Sequence, residues 1–359
     1  MNFETEFPVL KDYTYLNTAY SGLLSTSIAN WRREHDQLFA AGGSNFRIEN
    51  GFVINDLREN LSGFFGSKKE NTFLVPNFSF GFNTFLSGLD ESTRFLILRE
   101  DYPSISYPVT SSGFEYKEVA IDENIEQSIH ESIKNSKPSV FALSLVQYIS
   151  GYRINPEFIK ELKASYPDLL IVADGTQFCG TMKFNFAESG LDALISSGYK
   201  WLSGGFGNGF VILSDQMRSA IFQKKKSFAM PSAPFLAGRD ILSLCFEPGH
   251  TDTLNFGTLN QSLLYLQKVG IDFIEKHTQQ LTQKARTEFY SRGLLDEQVL
   301  RRETQSTIVN LPLGKELTAR IESAGILCSA RGSGIRFSFH FYNTEKDLNN
   351  LLDVIDDKF

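Results

Sequence analysis

Short apolar runs alternate with helix-length segments through the first two thirds of this 359-residue chain, and that alternation leaves few folds open. Residues 73–75, 94–98, 139–146 and 169–173 each read as a strand, and residues 156–165, between the last two, read as an amphipathic helix. Strands alternating with helices build an α/β, doubly wound and mostly parallel sheet. The ligands of such sheets sit beyond the carboxyl ends of the strands, where Ser79, Tyr102, Gln147, Asp174 and Gln177 all fall. From residue 253 the pattern turns helical through Leu263, Leu266 and Val269 to Tyr290, interrupted at Gly270. Strands at 306–311, 326–330 and 335–340, with helices at 315–324 and 344–357, then complete a compact α+β unit. A chain of this length exceeds what one hydrophobic core usually fills. We therefore expect a large domain over 16–250 and a smaller one over 251–359 together with 1–15.

Several function classes are excluded early. A net charge of -7 and a pI near 5.4 argue against a nucleic-acid surface. No apolar run reaches the length of a membrane span, and the first ten residues lack the layout of a secretory signal. Cys179, Cys245 and Cys328 show neither pairing nor metal-type spacing, which suits a reducing, cytoplasmic setting. The histidines at 35, 130, 250, 277 and 340 show no ligand spacing either, so no metal is expected.

The chemistry concentrates where an apolar strand ends in Asp174-Gly175-Thr176-Gln177 and is followed by Ser196-Ser197-Gly198-Tyr199-Lys200 and a glycine-rich stretch. A strand-end acid and a lysine flanked by small hydroxyl residues suit pyridoxal 5'-phosphate (PLP). The lysine would form a Schiff base with the cofactor aldehyde, and the carboxylate would keep the pyridine nitrogen protonated. A phosphate needs backbone N–H groups, hydroxyls and a helix N-terminus; Asn77-Phe78-Ser79 offers these, and Ser197 and Tyr199 could add donors. Tyr102 could lie over the ring, Gln147 and Gln177 could reach its hydroxyl, and Arg336 could clamp a substrate carboxylate with two parallel hydrogen bonds. Taken singly, Ser79 is a helix cap, Tyr102 a packed turn residue, the glutamines polar loop residues and Arg336 a surface ion-pair partner. The glycines of 203–209 lack the lysine-hydroxyl ending of a phosphate-binding loop and follow the lysine, so a nucleotide site is discounted.

Taken together, these blocks resemble the class V aminotransferase family of fold-type I PLP-dependent enzymes, which includes cysteine desulfurases, selenocysteine lyases, kynureninase and isopenicillin N epimerase. The resemblance runs in order through Tyr15-Leu16-Asn17-Thr18-Ala19, Asn77-Phe78-Ser79, Asp101-Tyr102-Pro103-Ser104, residues 144–151, Asp174 to Lys200, Glu247-Pro248-Gly249-His250 and the ending Arg336-Phe337-Ser338-Phe339-His340-Phe341-Tyr342-Asn343-Thr344. It implies Lys200 as Schiff-base lysine and general base, Asp174 on the pyridine nitrogen and Gln177 on the ring oxygen. It also implies Phe78, Ser79, Ser197 and Tyr199 on the phosphate, Tyr102 stacked on the ring, and Arg336 with Asn17 on the substrate carboxylate. His250 or Thr251, with Gly257-Thr258 as the alternative, would reach the phosphate of a neighbouring subunit, which implies a homodimer.

Two departures shape the activity. Tyr199 stands where desulfurases carry a histidine, and the tight Arg331-Gly332-Ser333-Gly334 turn leaves no loop for a nucleophilic cysteine. The expectation is a PLP-dependent enzyme acting on a small amino acid through an external aldimine, most readily as an aminotransferase. The alternatives are a cysteine desulfurase, selenocysteine lyase or another lyase or epimerase, and, outside catalysis, an inactive binding protein on the same fold.

Overall fold

The computed structural model describes residues 3–302 and 304–357. Its strands are β1 Thr14–Tyr15, β2 Thr72–Val75, β3 Arg94–Leu98, β4 Glu115–Val119, β5 Val140–Ser144, β6 Leu170–Asp174, β7 Ala193–Ser197, β8 Gly209–Leu213, β9 Ile308–Leu311, β10 Ile326–Leu327, β11 Ser329–Arg331 and β12 Gly334–Ser338. Seven of them form one sheet in the order β2-β8-β7-β6-β5-β3-β4. Only β8 runs against the rest, pairing antiparallel with β2 and β7, while every other neighbour is parallel.

Side chains alternate across each strand and feed two cores. Leu96, Leu98, Phe141 and Leu143 point to one face, which also takes in Trp201 and Leu263. Phe95, Ile97, Val140 and Ala142 point to the other, which the helices Phe78–Leu86 and Pro103–Ser111 cover. The edge strand β4, Glu-Tyr-Lys-Glu-Val, was not legible as a strand, because four of its five residues are solvent-exposed and carry no apolar alternation.

A second, smaller sheet, β11-β12-β9, is wholly antiparallel and has its own core around Phe289, Phe337, Leu348 and Leu351. The chain's start joins it through the parallel pair β1–β10. Helix Thr253–Val269 departs from the expected boundary near 250. Its Leu259, Leu263 and Leu266 pack into the core of the large sheet, against Leu57 and Leu61 of helix Phe52–Phe65. From this packing we propose that the change of domain falls beyond it.

The ending that follows β12 ties three distant segments together. Ala19 donates its N–H to Ser338 Oγ (3.0 Å), and Asn343 Nδ2 donates to the carbonyl of Tyr15 (2.8 Å). Asn343 Oδ1 accepts the N–H of His340 (2.8 Å), and Thr18 Oγ1 meets Tyr342 Oη at 2.5 Å. His340 Nε2 lies 3.0 Å from the carbonyl of Trp201, one residue past Lys200. Burial pushes His340 down to about 3, so its imidazole is neutral and donates through Nε2. Among the described residues no helix is long and apolar enough to cross a membrane, the three cysteines are free, and no cluster of three His, Cys, Asp or Glu side chains could hold a metal.

Asn343 is fully buried and satisfies two backbone groups, so Asn343→Ala should cost about 2–5 kcal/mol in urea unfolding. A loss below about 1 kcal/mol would show that the ending is not what fixes the N-terminal segment.

Candidate active site

Five segment ends meet over the carboxyl edge of the large sheet: those after β2, β3, β5, β6 and β7. They enclose a cavity of about 760 Å³ whose wall is completed by Ala19 and Tyr20 from the N-terminal segment and Arg331 and Arg336 from the small sheet. Asp174 is the last residue of β6, Ser144 of β5 and Ser197 of β7. All three line the cavity because parallel strands deliver their carboxyl ends to one side.

Asp174 is buried, and its Oδ1 accepts the N–H of Thr176 (2.7 Å). Burial raises its carboxyl to about 6, against the opposing pull of the Thr176 hydrogen bonds and of Lys200. Thr176 in turn accepts the N–H of Ser197 on Oγ1 (3.1 Å), which locks the ends of β6 and β7 together. Lys200 follows β7 and is buried, yet its Nζ makes no hydrogen bond or ion pair among the described residues. The ammonium lies over two tyrosine rings instead, 5.7 Å from the centroid of Tyr102 and 5.5 Å from that of Tyr199. Burial lowers it to about 8, with Arg336 and Arg331 pushing the same way and Asp174 opposing. Its backbone is fixed by contact: a Cβ on Gly22 would stand 1.9 Å from the carbonyl oxygen of Lys200.

The other end of the cavity is built for an anion. Asn77 caps helix Phe78–Leu86 by accepting the N–H of Phe80 (2.9 Å), so the positive end of the helix faces the cavity. Ser197 Oγ accepts the N–H of Phe78 (2.8 Å), and Ser79 Oγ donates to Ser104 Oγ (2.8 Å). Tyr199 stacks on the exposed Phe206 at 5.1 Å, and burial pushes its hydroxyl up to about 12, leaving it a donor.

Tyr102 stands at the mouth as the N-cap of helix Pro103–Ser111 and meets Tyr148 edge-on at 5.3 Å. Asp101 positions it: this buried carboxylate accepts the N–H of Tyr102 (2.7 Å) and of Ser144 (2.8 Å). Gln177 also lines the cavity, with Nε2 donating to the carbonyl of Ala19 (2.9 Å) and Oε1 accepting from Trp201 Nε1 (2.8 Å). Among the described residues Nε2 makes only this one bond, which leaves its second N–H available. Arg336 is 2 % exposed. Nη1 donates to the carbonyl of Tyr148 (2.5 Å) and Nη2 to Ser329 Oγ (3.3 Å), while Nε has no partner. No carboxylate pairs with it among the described residues, and burial lowers it to about 10. Asn17, expected beside Arg336, does not line the cavity; it bridges Ser338, and its buried Oδ1 has no partner among the described residues.

Some expected residues are not brought to the cavity. Gln147 is turned into its own loop, where Oε1 accepts the N–H groups of Ile149 (2.6 Å) and Ser150 (2.7 Å) and Nε2 donates to Glu100. The following Ser150-Gly151 turn needs an acceptor, and Gln147 supplies it. His250 and Thr251 line a separate, wider depression of about 1330 Å³. Several of its charged side chains are paired: Arg58 with Glu247, Arg218 with Asp240 and Lys69 with Glu59. Thr258, the alternative to His250, is buried, donates to Leu254 O (2.7 Å) and accepts from Arg32 (2.6 Å). Tyr148, Thr176, Asp101 and Arg331 were not singled out by sequence. Position at strand ends signals Asp101 and Thr176, whereas Tyr148 and Arg331 emerge only from the packing of the two sheets.

The match to known proteins agrees with this geometry. The chain belongs to the class V aminotransferase family, whose model matches residues 24–351. It is 20% identical to an uncharacterized aminotransferase of Bacillus subtilis, YcbU, over 97% of this chain and 95% of that protein. It is equally 20% identical to a probable cysteine desulfurase of Methanothermobacter thermautotrophicus, over 98% and 96%. Among solved structures, a C-DES variant with glycine covalently linked to its PLP cofactor shares the fold at a TM-score of 0.84, with 19% identity over 98% of this chain and 99% of that one. The cofactor is pyridoxal 5'-phosphate, and the residues here fit it: an unpaired buried lysine, an acid at a strand end and an anion-binding helix terminus share one cavity.

Since half of Lys200 is a free amine near pH 8, capture of added PLP by the cofactor-free protein should accelerate with pH through a midpoint near 8 and then level off. Stopped-flow absorbance checks this; a rate still climbing toward the ordinary lysine value of 10.5 would overturn the assignment of a depressed amine.

Proposed function

We propose that the chain is a PLP-dependent aminotransferase acting on a small amino acid, with Lys200 as the proton carrier. The observation that carries this reading is the buried guanidinium of Arg336, unpaired and facing the same cavity as an unpaired lysine. A guanidinium without a counter-ion in a low-dielectric site is costly unless a ligand supplies the anion. A substrate carboxylate is planar and matches its fork.

When bound, PLP supplies an electron sink for negative charge at the substrate's Cα. The chain's own residues do the rest. Lys200 Nζ, neutral in part at physiological pH, would be the group that takes a proton from the substrate's Cα and gives it back. Asp174, held by the N–H of Thr176, presents a carboxylate to the ring nitrogen, and the free N–H of Gln177 serves the ring oxygen. Ser79, Ser197, Tyr199 and the helix N-terminus hold the phosphate, while Tyr102 and Tyr148 wall the ring. Gly249 and His250 are exposed and Thr251 is half-buried, with His250 Nδ1 bonded to Arg47 (2.9 Å), so this segment is accessible to a second subunit in the homodimer proposed.

The choice of transamination over desulfuration follows from the thiols. No cysteine and no histidine lines the cavity among the described residues. Cys179 lies in the core with its thiol pushed far up by burial, and burial holds Cys328 at about 11. Neither is a thiolate able to accept sulfur. Transamination needs no such nucleophile.

Purified holoenzyme should be coloured, and Lys200→Ala should lose that visible absorption. Adding the right L-amino acid to the unaltered holoenzyme should bleach it and a keto acid should restore it, and Lys200→Ala should form the keto-acid product at least about 100-fold more slowly. Release of sulfide from cysteine without bleaching would instead make the protein a lyase.

A further inference from the structure

A second guanidinium enters the same cavity. The turn Arg331-Gly332-Ser333-Gly334 joins β11 to β12, with Gly332 at φ +58° and its Cα against Ile149, where a Cβ would come within 3.0 Å of the side chain. This places Arg331 on the wall that faces both Arg336 and Lys200, and its charge lowers the proton affinity of each. Arg331 has little to hold it: Nη1 donates to the carbonyl of its own neighbour Ala330 (2.8 Å), and the guanidinium sits 5.3 Å from the ring centroid of Tyr20. It forms no ion pair among the described residues.

Charge accounting shows why this matters. The described lining of the cavity holds Lys200, Arg331 and Arg336 against a single carboxylate, Asp174. The helix N-terminus at the opposite end would hold the cofactor phosphate, and a substrate α-carboxylate would satisfy Arg336. Arg331 is then left over. Behind it the wall continues into a smaller cleft of about 250 Å³ between the two domains, which Arg331 shares with Arg286 and Arg302 and which no described carboxylate lines. Arg286 is buried and bonds only the carbonyls of Ser306 and Ile308; Arg302 stacks on Tyr152 with its guanidinium carbon 3.3 Å from the ring centroid. A substrate side chain leaving Cα toward Arg331 therefore meets a wall that carries guanidinium groups and no described carboxylate.

We propose that Arg331 seats a second anionic group of the substrate, so that the enzyme takes an amino dicarboxylic acid, with Arg336 on the α-carboxylate and Arg331 on the side-chain carboxylate. This rests on the reading of the cavity as a PLP-dependent amino-acid site. The extra contact is a charge-assisted hydrogen bond of the kind whose loss costs about tenfold or more in affinity.

Calorimetric titration of the holoenzyme with glutamate against glutamine, and aspartate against asparagine, tests it. One acid should bind at least about tenfold more tightly than its amide. Arg331→Met should bring that ratio close to one, Arg331→Lys should retain part of it, and Arg336→Lys should weaken acid and amide alike. Equal affinity for acid and amide in the unaltered protein would overturn the proposal. So would an Arg331→Met variant, folded by circular dichroism, that weakens both alike, because Arg331 would then serve the α-carboxylate. If the protein shows no lysine-dependent visible absorption, the PLP reading fails by itself. The acid-to-amide ratio of the cofactor-free protein, measured in the same way, then still decides the role of Arg331.

Discussion

Positive charge held inside a low-dielectric cavity is the constraint on which this site depends. Burial, with the neighbouring arginines pushing the same way, drives Lys200 down to about 8 and Arg336 down to about 10, and neither has a carboxylate in contact among the described residues. Such groups remain in place only if the surrounding structure over-determines them, and here it does. Lys200 is pinned by the close approach of Gly22 to its carbonyl oxygen and by the bond from His340 to the next carbonyl. Arg336 is pinned by the carbonyl of Tyr148 and by the register of β12 against β9 and β11. The uncompensated charge is thus affinity in reserve for anions that arrive later.

The same contacts explain why two domains act as one site. The small sheet contributes Arg331 and Arg336, yet the ending just beyond them bonds the N-terminal segment through Ser338 and Asn343 and the lysine segment through His340. A shift of the small domain would therefore move the lysine backbone and the substrate clamp together. The neutral His340 suits this role, since a protonated imidazole could not stay buried there and its bond to the Trp201 carbonyl needs only one N–H.

Much of this was legible before any coordinates. The parallel sheet follows from the alternation of apolar runs and helices, and Asp174, Ser197 and Lys200 follow from where their strands end. What the sequence did not yield was set by long-range packing. β4 hides because an edge strand with a solvated face carries no periodic signal. Gln147 looked like a ligand because it ends a strand, but the backbone of the next turn claims its oxygen first. Helix Thr253–Val269 looked like the start of the small domain because its pattern is helical, and periodicity does not say which core a helix joins. Asp101 was quoted but not weighed; its task is to hold the backbone of Tyr102 and Ser144, which no residue type announces.

The absence of a nucleophile is as informative as the presence of the lysine. Cys179 shares the sequence neighbourhood of Asp174 and Gln177, so proximity along the chain suggests a thiol at the cofactor. The fold turns it inward beneath Gly175, where a Cβ would stand 2.6 Å from its sulfur, and burial removes its acidity. The short turn after Arg331 closes the other route by which a cysteine could enter, and it fills that place with a guanidinium. Where a sulfur-accepting loop would bring a soft nucleophile, this chain brings a fixed positive charge. A charge of that kind does no chemistry on sulfur, but it selects which side chain can lie beside it.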